Sequence, residues 1–310
     1  MKQLPTLTIA VCAYNEEHNM KAFLKSILAQ KSIGYRLKEI IVVSDGSTDH
    51  TVRIVKKLNS SIIKIWNHKI RLGKSSRLNE IYEYVKTDIL VQTDADVIFS
   101  NPHVVSELIK PLSKKQVYMT GGNPKPFVAK TFIEKAINCT VEPYVEFRHK
   151  VRGGNNVFSV DGRLLAYKRE LVKKIVVPAD MIANDAYTYF CCLSLGYTYQ
   201  FVSSAVVNFR SPQTLFDHIK QNTRFNAAPI RMEKIFDKKL VKREYRIPKK
   251  MYRKAVFNQW IQNPIHCSAI FVINMFCKLY ARRYEPILNA KWAIAYTTKV
   301  LLFSPLGSDL

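Results

Sequence analysis

The segment Asp88–Phe99, DILVQTDADVIF, contains a short apolar run that ends in two aspartates, Asp94 and Asp96. The run predicts a buried strand, because it is short and is bounded by polar residues. Residues i and i+2 of a strand project to the same face, so both carboxylates can converge on one ligand. Close carboxylates repel each other, and a hard divalent cation removes that repulsion. Taken alone, the pattern is more typical of a solvated turn, so the surrounding sequence must decide.

Strand and helix patterns alternate upstream of this segment. Apolar runs at Leu7–Tyr14, Leu37–Asp45 and Ile62–His68 are separated by stretches with helical periodicity. Such a series predicts an α/β fold with a parallel sheet and helices on both faces. Ligands of these sheets bind where the carboxyl ends of the strands meet the loops, so polar residues at strand ends are the site candidates.

The charge of the chain indicates an anionic partner. Among 310 residues, 48 are basic and 24 are acidic, which gives a formal net charge of +24. Nucleic acid, phosphorylated substrates and anionic membranes all fit this charge. The chain contains no helix-turn-helix, zinc-ligand, RNP-type or Gly-X-X-Gly pattern, so we expect no nucleic-acid partner.

The cysteines and the amino terminus indicate a cytoplasmic protein. The six cysteines have no metal-type spacing, and the adjacent pair Cys191 and Cys192 is poorly placed for a mutual disulfide. We therefore expect reduced thiols. The first predicted strand begins within ten residues of Met1, and no signal-peptide pattern precedes it.

Four predicted strand ends carry polar segments whose order and spacing resemble one known family. The segments are YNEE (Tyr14–Glu17), SDGSTD (Ser44–Asp49), GKSSRLN (Gly73–Asn79) and TDAD (Thr93–Asp96). They resemble the nucleotide-binding half of the family-2 glycosyltransferases, and the resemblance covers roughly residues 7–225. It implies a GT-A fold, which is a Rossmann-like, mostly parallel sheet flanked by helices. It also implies a UDP- or GDP-linked sugar donor and a Mg²⁺ or Mn²⁺ cofactor.

The resemblance assigns roles to the donor-side residues. Asp45 corresponds to the aspartate that contacts the nucleobase, and Lys74 to a basic residue near the nucleotide. Asp94 and Asp96 resemble the DXD element, in which the first carboxylate seats the ribose or sugar and the last coordinates the cation. A solvated lysine at the start of a helix is the alternative for Lys74.

Two further residues are nucleotide-side candidates. Asn15 and Glu16 follow the first predicted strand and lie where a nucleotide would approach the sheet edge. Closing a turn is the alternative role for both residues.

The acceptor half offers one candidate base. The segment ANDAYTY, Ala183–Tyr189, occupies the place of the family's Glu-Asp motif, with Asn184 in place of the glutamate. Asp185 is retained, and we expect it to take the proton from the acceptor hydroxyl in an inverting transfer. A helix-start aspartate with a purely structural role is the alternative.

The segment QNTRF, Gln221–Phe225, resembles the QxxRW element of processive synthases, with Phe225 in place of tryptophan. An aromatic ring beside an arginine can stack on a sugar, and the arginine can hold diphosphate. Gln221, Arg224 and Phe225 are therefore acceptor or diphosphate candidates. An ordinary surface helix is the alternative.

The composition changes near residue 226, which predicts a catalytic domain at residues 1–225 and a basic helical appendage at 226–310. Eleven lysines and arginines lie between Arg231 and Lys254, followed by apolar stretches. Basic clusters beside apolar helices are drawn to anionic lipid headgroups, and Trp260 and Trp292 suit an interface. We expect helices lying on the membrane surface. A transmembrane pair and simple packing onto the catalytic domain remain as alternatives.

These patterns together predict an inverting glycosyltransferase that acts at the cytoplasmic face of the cell membrane. We expect transfer to a saccharide or polyprenyl-linked acceptor in the synthesis of a cell-surface polysaccharide or glycoconjugate. A catalytically silent nucleotide-sugar-binding protein and a nucleotidyltransferase with a related sheet are the alternatives.

Overall fold

The computed structural model describes residues 3–289, 291 and 296–301, and one eight-stranded sheet forms its centre. The strands are β1 (Thr6–Ala13), β2 (Arg36–Asp45), β3 (Ile63–His68), β4 (Ile89–Asp94), β5 (Val97–Phe99), β6 (Val117–Pro126), β7 (Leu164–Lys168) and β8 (Thr198–Phe209). The α-helices are α1 (Glu17–Leu28), α2 (Thr51–Lys57), α3 (Lys74–Tyr84), α4 (Val104–Ile109), α5 (Phe132–Lys150), α6 (Arg169–Val172), α7 (Asn184–Ser194), α8 (Leu215–Ile235), α9 (Lys238–Glu244), α10 (Lys249–Gln262) and α11 (Pro264–Tyr284).

The strand order is β3-β2-β1-β4-β7-β6-β8-β5. Strands β1 to β4 are parallel to their neighbours within this group, and β6 is parallel to β8. Strand β7 runs antiparallel between β4 and β6, and β5 pairs antiparallel with β8 at the other edge. The predicted GT-A fold with a mostly parallel sheet and a C-terminal helical appendage is confirmed.

Alternate residues of the central strands face two separate hydrophobic layers. Ile9 and Val11 of β1 pack into one layer with the apolar face of α1, whereas Ala10 packs into the other with Leu78 and Ile81 of α3. Strands covered by helices on both faces become nearly continuous apolar runs. This double coverage explains why the sequence shows β1, β2 and β4 so clearly.

The parallel register brings the carboxyl ends of the central strands to one edge of the sheet. Ala13 of β1 lies opposite Ser44 of β2, and Cys12 lies opposite Asp94 of β4. Because the strands are also parallel to one another, the loops after β1, β2 and β4 meet at this edge. We call it the catalytic edge.

The segment Asn156–Tyr167 contains a 3₁₀ turn and most of a short strand. Only Leu164–Lys168 forms β7, and Val157–Ser159 forms a 3₁₀ turn. The buried Asn156 side chain caps this turn by accepting a hydrogen bond from the Ser159 amide and donating one to the Val151 carbonyl at 2.6 Å. These side-chain bonds compete with a strand ladder.

The C-terminal part of the chain packs back on the catalytic part. Helix α8 runs without interruption through residue 226, so the predicted domain boundary falls inside a helix and stays a prediction. Residues 296–301 reach the catalytic edge, where the Leu301 amide donates to Asn19 at 2.9 Å and Arg210 donates to the Leu301 carbonyl at 3.0 Å. Trp292 lies outside the described residues.

Candidate active site

Asp45 organises the loop that leads into α3. It ends β2 and is 4% exposed. Its carboxylate accepts hydrogen bonds from the backbone amides of Leu72 and Gly73 and from Nε of Arg77, each at 2.8 Å. Gly73 has φ 97°, a conformation that favours glycine. Asp45 therefore sets the position at which α3, and Lys74 with it, begins.

Lys74, Asp94 and Asp185 converge at one point of the catalytic edge. Lys74 forms an ion pair with the Asp94 carboxylate. A Cβ atom on Gly162 would lie 3.5 Å from Lys74 Nζ, 3.8 Å from Asp185 Cβ and 3.9 Å from Asp94 Oδ2. The sequence separates these residues by as much as 111 positions, and the fold brings all three around the backbone of Gly162. Gly162 leaves open the space between them.

Asp94 stabilises the charged form of Lys74. Burial acts to lower the pKa of Lys74, but the charge of Asp94 and the hydrogen bond to it raise that pKa above its usual value. Lysine at the first position of a helix is disfavoured by the helix dipole unless an anion is present. Asp94 supplies that anion, so a cation stays fixed at the catalytic edge.

Asp96 and Glu16 form a second acidic group beside the first. Burial, and then the charge of Asp94, raise the pKa of Asp96 above that of an ordinary aspartate. Burial raises the pKa of Glu16 to about 7, and the charge of Asp96 acts in the same direction. The positive charge of Lys299 opposes both shifts, and Lys299 also forms an ion pair with Glu16. Its Nζ also donates to the Tyr14 carbonyl at 2.9 Å.

Asn15 joins two loops of the catalytic edge. It has φ 53°, and its side chain accepts a hydrogen bond from the Thr48 amide at 2.8 Å. Its own amide donates to Ser47 Oγ at 3.1 Å. This arrangement fits the turn-closing alternative, and the expected nucleotide contact of Asn15 stays a prediction.

Asp185 lies in the first turn of α7 and is half-buried. Its carboxylate accepts hydrogen bonds from the Gly162 amide at 3.3 Å and from the Ala186 amide at 2.9 Å. Burial, and then the charge of Asp161, raise its pKa above the usual aspartate value. A carboxylate with a raised pKa is a better proton acceptor.

Asn184, the neighbour of the candidate base, ties α7 to α3. It is 4% exposed, and its side-chain oxygen accepts a hydrogen bond from Ser75 Oγ at 2.9 Å. Its amide nitrogen is buried without a hydrogen-bond partner among the described residues. Ser75 follows Lys74 directly, so this bond fixes Asp185 relative to the cation.

Helix α8 presents the three remaining candidates. Burial lowers the pKa of Arg224, and the negative charges of Asp185 and Asp94 partly oppose this shift. The Arg224 guanidinium lies 5.3 Å from the centre of the Phe225 ring, which is exposed. Gln221 lies one turn earlier and is half-buried. The structure thus brings Arg224 to the site, and the QxxRW-like role of the segment stays a prediction.

Two residues of the site were missed by sequence reasoning. Arg163 pairs with Asp161 at 2.9 Å, and the charges of Asp96 and Asp94 raise its pKa further after burial has acted to lower it. Lys299 reaches Glu16 from 283 positions away. No periodicity links Lys299 to Glu16 over that distance. Arg163 directly precedes β7, and only the fold brings it near Asp94 and Asp96.

The acidic residues fit a cation that also takes oxygens from a ligand. Within the part of the chain that the structure describes, no group of three or more His, Cys, Asp or Glu side chains is placed to hold a metal ion. Asp94 and Asp96 provide two carboxylates, and Mg²⁺ typically takes only one or two from the protein, with phosphate oxygens and water completing its shell.

Comparisons with known proteins assign the chain to a family. The family model described as "Glycosyl transferase family 2" matches residues 8–176, which is more than half of the chain. The chain belongs to glycosyl transferase family 2. The match covers the donor-side candidates Asn15 to Asp96 and ends before Asp185 and α8.

Two curated relatives and one solved structure give the family assignment more detail. A probable glycosyltransferase of Bacillus subtilis, YdaM, is 25% identical over 90% of this chain and 69% of its own length. A poly-β-1,6-N-acetyl-D-glucosamine synthase of Staphylococcus aureus is 25% identical over 72% of this chain. The chain spans 54% of that synthase, about half its length.

The structural comparison supports the fold of this family-2 glycosyltransferase. The mannosyltransferase PcManGT of Pyrobaculum calidifontis, solved with GDP-Man and Mn²⁺, superimposes with a TM-score of 0.63 at 19% identity. The superposition covers 92% of this chain and 84% of PcManGT. At this identity the likeness establishes the shared GT-A fold.

Substitution of Gly162 tests whether the space between Lys74, Asp94 and Asp185 is used. Gly162→Ala places a methyl group at ordinary contact distances, so we expect turnover within a few-fold of wild type. Gly162→Leu fills the space, and we expect a loss of roughly a hundredfold or more, as for misplaced reacting groups. Turnover of a nucleotide-sugar donor and thermal unfolding should be measured together. Wild-type turnover by a folded Gly162→Leu protein would show that substrate does not occupy this space.

Proposed function

We propose that this family-2 glycosyltransferase transfers a sugar from a UDP- or GDP-linked donor to an acceptor hydroxyl with inversion at the anomeric carbon. The convergence of Lys74, Asp94 and Asp185 around Gly162 carries the proposal. Lys74 is a fixed cation, Asp94 is a carboxylate that can contact the donor, and Asp185 is a carboxylate with a raised pKa, and all three border one open space. This is the set of groups that an inverting displacement requires.

The donor side of the proposal rests on the loops after β1, β2 and β4. Asp45 lies where the nucleobase would contact the sheet edge, with Asn15 and Glu16 on the neighbouring loop. Asp94 would seat the ribose or sugar, and Lys74 and Arg224 would hold the negative charge of the diphosphate. Lys74 is held by its ion pair with Asp94 before the donor arrives, and the negative charges of Asp185 and Asp94 lie close enough to act on Arg224.

The acidic pair Asp94 and Asp96 fits a divalent cation. The raised pKa of Asp96 arises in part from the charge of Asp94, so the two carboxylates repel each other, and a cation would relieve this repulsion. We propose that Asp96 holds Mg²⁺ or Mn²⁺ and that the metal, when bound, neutralises charge on the departing nucleoside diphosphate. The Mn²⁺ in the PcManGT structure supports this choice of metal.

Asp185 acts as the base in the proposed reaction. Its carboxylate accepts the proton of the acceptor hydroxyl while the acceptor oxygen forms a bond to the anomeric carbon. The bond between that carbon and the diphosphate oxygen breaks on the opposite face, and its electrons leave with the nucleoside diphosphate. The Gly162 amide and the Asn184–Ser75 bond hold Asp185 in position for this step.

The acceptor is proposed to be a saccharide or a polyprenyl-linked glycan at the cytoplasmic face of the cell membrane. Phe225 exposes an aromatic ring next to Arg224, which suits stacking on a sugar. The name of the Staphylococcus aureus relative, a polysaccharide synthase, supports a role in the synthesis of a cell-surface polysaccharide or glycoconjugate.

Asp185→Asn tests whether Asp185 serves as the catalytic base or as part of the donor-binding site. The variant should bind the donor with wild-type affinity but lose about 10²–10⁴-fold in kcat, as expected when a positioned base is removed. It should also lose the acidic limb of the pH–rate profile that titration of Asp185 produces. Donor affinity from calorimetry and kcat from product release give the two readouts. A collapse of donor affinity with unchanged kcat would move Asp185 to the nucleotide site.

Asp96→Asn tests the metal. We expect the variant to fold normally, to lose Mn²⁺ binding measured by electron paramagnetic resonance in the presence of nucleoside diphosphate, and to lose turnover. Glu170→Gln, which removes an exposed carboxylate far from the catalytic edge, serves as the control and should behave as wild type. Full turnover by the wild-type protein in EDTA would contradict the metal assignment.

A further inference from the structure

Helix α11 has one face packed on the catalytic domain. Ile270 packs against Ala136 and Ile137 of α5, and Ala281 packs against Ala227 of α8. Ile270 lies in the second turn of α11 and Ala281 in its last turn, so the inner face is held over about three turns. Helix α8 is the element that carries Arg224 and Phe225.

Polar contacts fasten the same inner face. The side-chain oxygen of Asn274 lies 2.7 Å from both His218 Nε2 and Asn222 Nδ2 of α8. Just beyond the end of α11, the buried Glu285 forms an ion pair with Arg231 of α8. Buried ion pairs are costly to break because one charge is then left without compensation.

The opposite face of α11 is exposed and apolar. The side chains on this outer face are Ile265, Phe271, Val272, Met275, Phe276 and Leu279, with exposures between 46% and 72%. They occupy one side of the helix over about four turns, since their spacing follows the helical period. Soluble proteins rarely expose a contiguous apolar surface of this length.

Exposed cations are concentrated in the two helices that precede α11 and in the last turn of α11 itself. The preceding helices α9 and α10 expose eight lysines and arginines, and the last turn of α11 exposes two more. They are Lys238, Lys239, Lys242, Arg243, Lys249, Lys250, Arg253, Lys254, Arg282 and Arg283. Trp260 of α10 is also exposed, and its indole nitrogen donates to Ser268 of α11. An apolar helix face flanked by cations and aromatic rings is complementary to an anionic lipid surface.

We propose that α11 lies in the plane of an anionic phospholipid bilayer, with its outer face in the headgroup–acyl boundary and its inner face on α5 and α8. This proposal rests on the membrane location in the proposed function and specifies the surface that binds and how it binds. It places the acceptor-side helix α8 directly behind the lipid-facing helix. The acceptor candidates Arg224 and Phe225 therefore lie on the helix next to the membrane-bound one.

The packing decides between lying on the membrane and crossing it. By length and composition, Pro264–Ile287 can cross a bilayer. A crossing helix would carry the Asn274 contacts and the Glu285–Arg231 pair into hydrocarbon, or would have to break them. Either outcome is costly, because polar groups in the bilayer core must be satisfied internally.

Vesicle sedimentation of the full-length chain tests the proposal. The chain should sediment with vesicles of phosphatidylcholine and phosphatidylglycerol, should bind pure phosphatidylcholine weakly, and should be released by high salt and by alkaline carbonate. Phe271→Ser/Phe276→Ser should lower the partition coefficient at least about tenfold, as expected for lost apolar burial. Lys249→Gln/Lys250→Gln should lower it about fivefold for each cation removed.

A matched variant controls for general loss of apolar surface. Val176→Ser/Ile33→Ser changes two residues that are as exposed as Phe271 and Phe276 but lie elsewhere on the fold, and its partition should equal that of wild type. Donor hydrolysis without vesicles and the far-ultraviolet circular dichroism spectrum should be the same for all these variants. Loss of hydrolysis in the wild-type chain would instead count against the proposed function, independently of the vesicle result.

Four results would overturn the proposal. The first is equal partition of Phe271→Ser/Phe276→Ser and wild type. The second is resistance to alkaline carbonate, which would mean that the chain spans the bilayer. The third is equal binding to neutral and anionic vesicles. The fourth is a dimer in solution that ignores vesicles and is dissociated by Phe271→Ser/Phe276→Ser, which would assign the outer face to a second copy of the chain.

Discussion

The crowding of carboxylates at one edge of the sheet is the constraint on which the rest of the structure depends. Parallel pairing of the central strands places Asp45 and Asp94 at the same edge, and Glu16 follows on the loop after β1. Buried carboxylates repel each other and lose hydration, so each requires a cation nearby. The structure supplies an ion-pair partner for four of them, and the pairs are Asp45 with Arg77, Asp94 with Lys74, Glu16 with Lys299, and Asp161 with Arg163. Much of the negative charge at this edge is therefore balanced before any substrate binds, whereas the carboxyl groups of Asp96 and Asp185 keep a raised pKa.

This balance explains how distant parts of the chain become one site. Lys74 and Arg77 lie in the first turn of α3, Arg163 directly precedes β7, and Lys299 comes from the C-terminal segment. Each cation fixes the element that carries it against the sheet edge, so the ion pairs organise the site as well as neutralise it. A diphosphate and a divalent cation would enter as a nearly neutral unit and exchange partners within this network. Asp185 borders the same open space beside Lys74 and Asp94, and the Gly162 amide donates a hydrogen bond to its carboxylate. Its pKa is raised.

The sequence alone was sufficient to predict the central strands of the sheet and the acidic residues at its edge. Strands β1, β2 and β4 are covered on both faces, so their apolar runs are long and clear, and the polar residues that follow them mark the edge. The sequence was insufficient for β5 and β8, because their pairing joins segments more than a hundred residues apart and leaves no periodic signal. Lys299 was missed for the same reason, and Arg163 was missed because only the fold brings it near Asp94 and Asp96. Asn184, which differs from the family's glutamate, became interpretable only through its bond with Ser75.

The central claim, that these groups perform an inverting sugar transfer, is tested most directly by the products of donor turnover. The full-length chain should be incubated with a panel of UDP- and GDP-linked sugars and Mn²⁺, and the released nucleotide and the first-formed sugar anomer should be identified by nuclear magnetic resonance. We predict a nucleoside diphosphate and a sugar of inverted anomeric configuration. Release of pyrophosphate would indicate nucleotidyl transfer, retention of configuration would exclude Asp185 as the base of a single displacement, and donor binding without any product would indicate a silent binding protein.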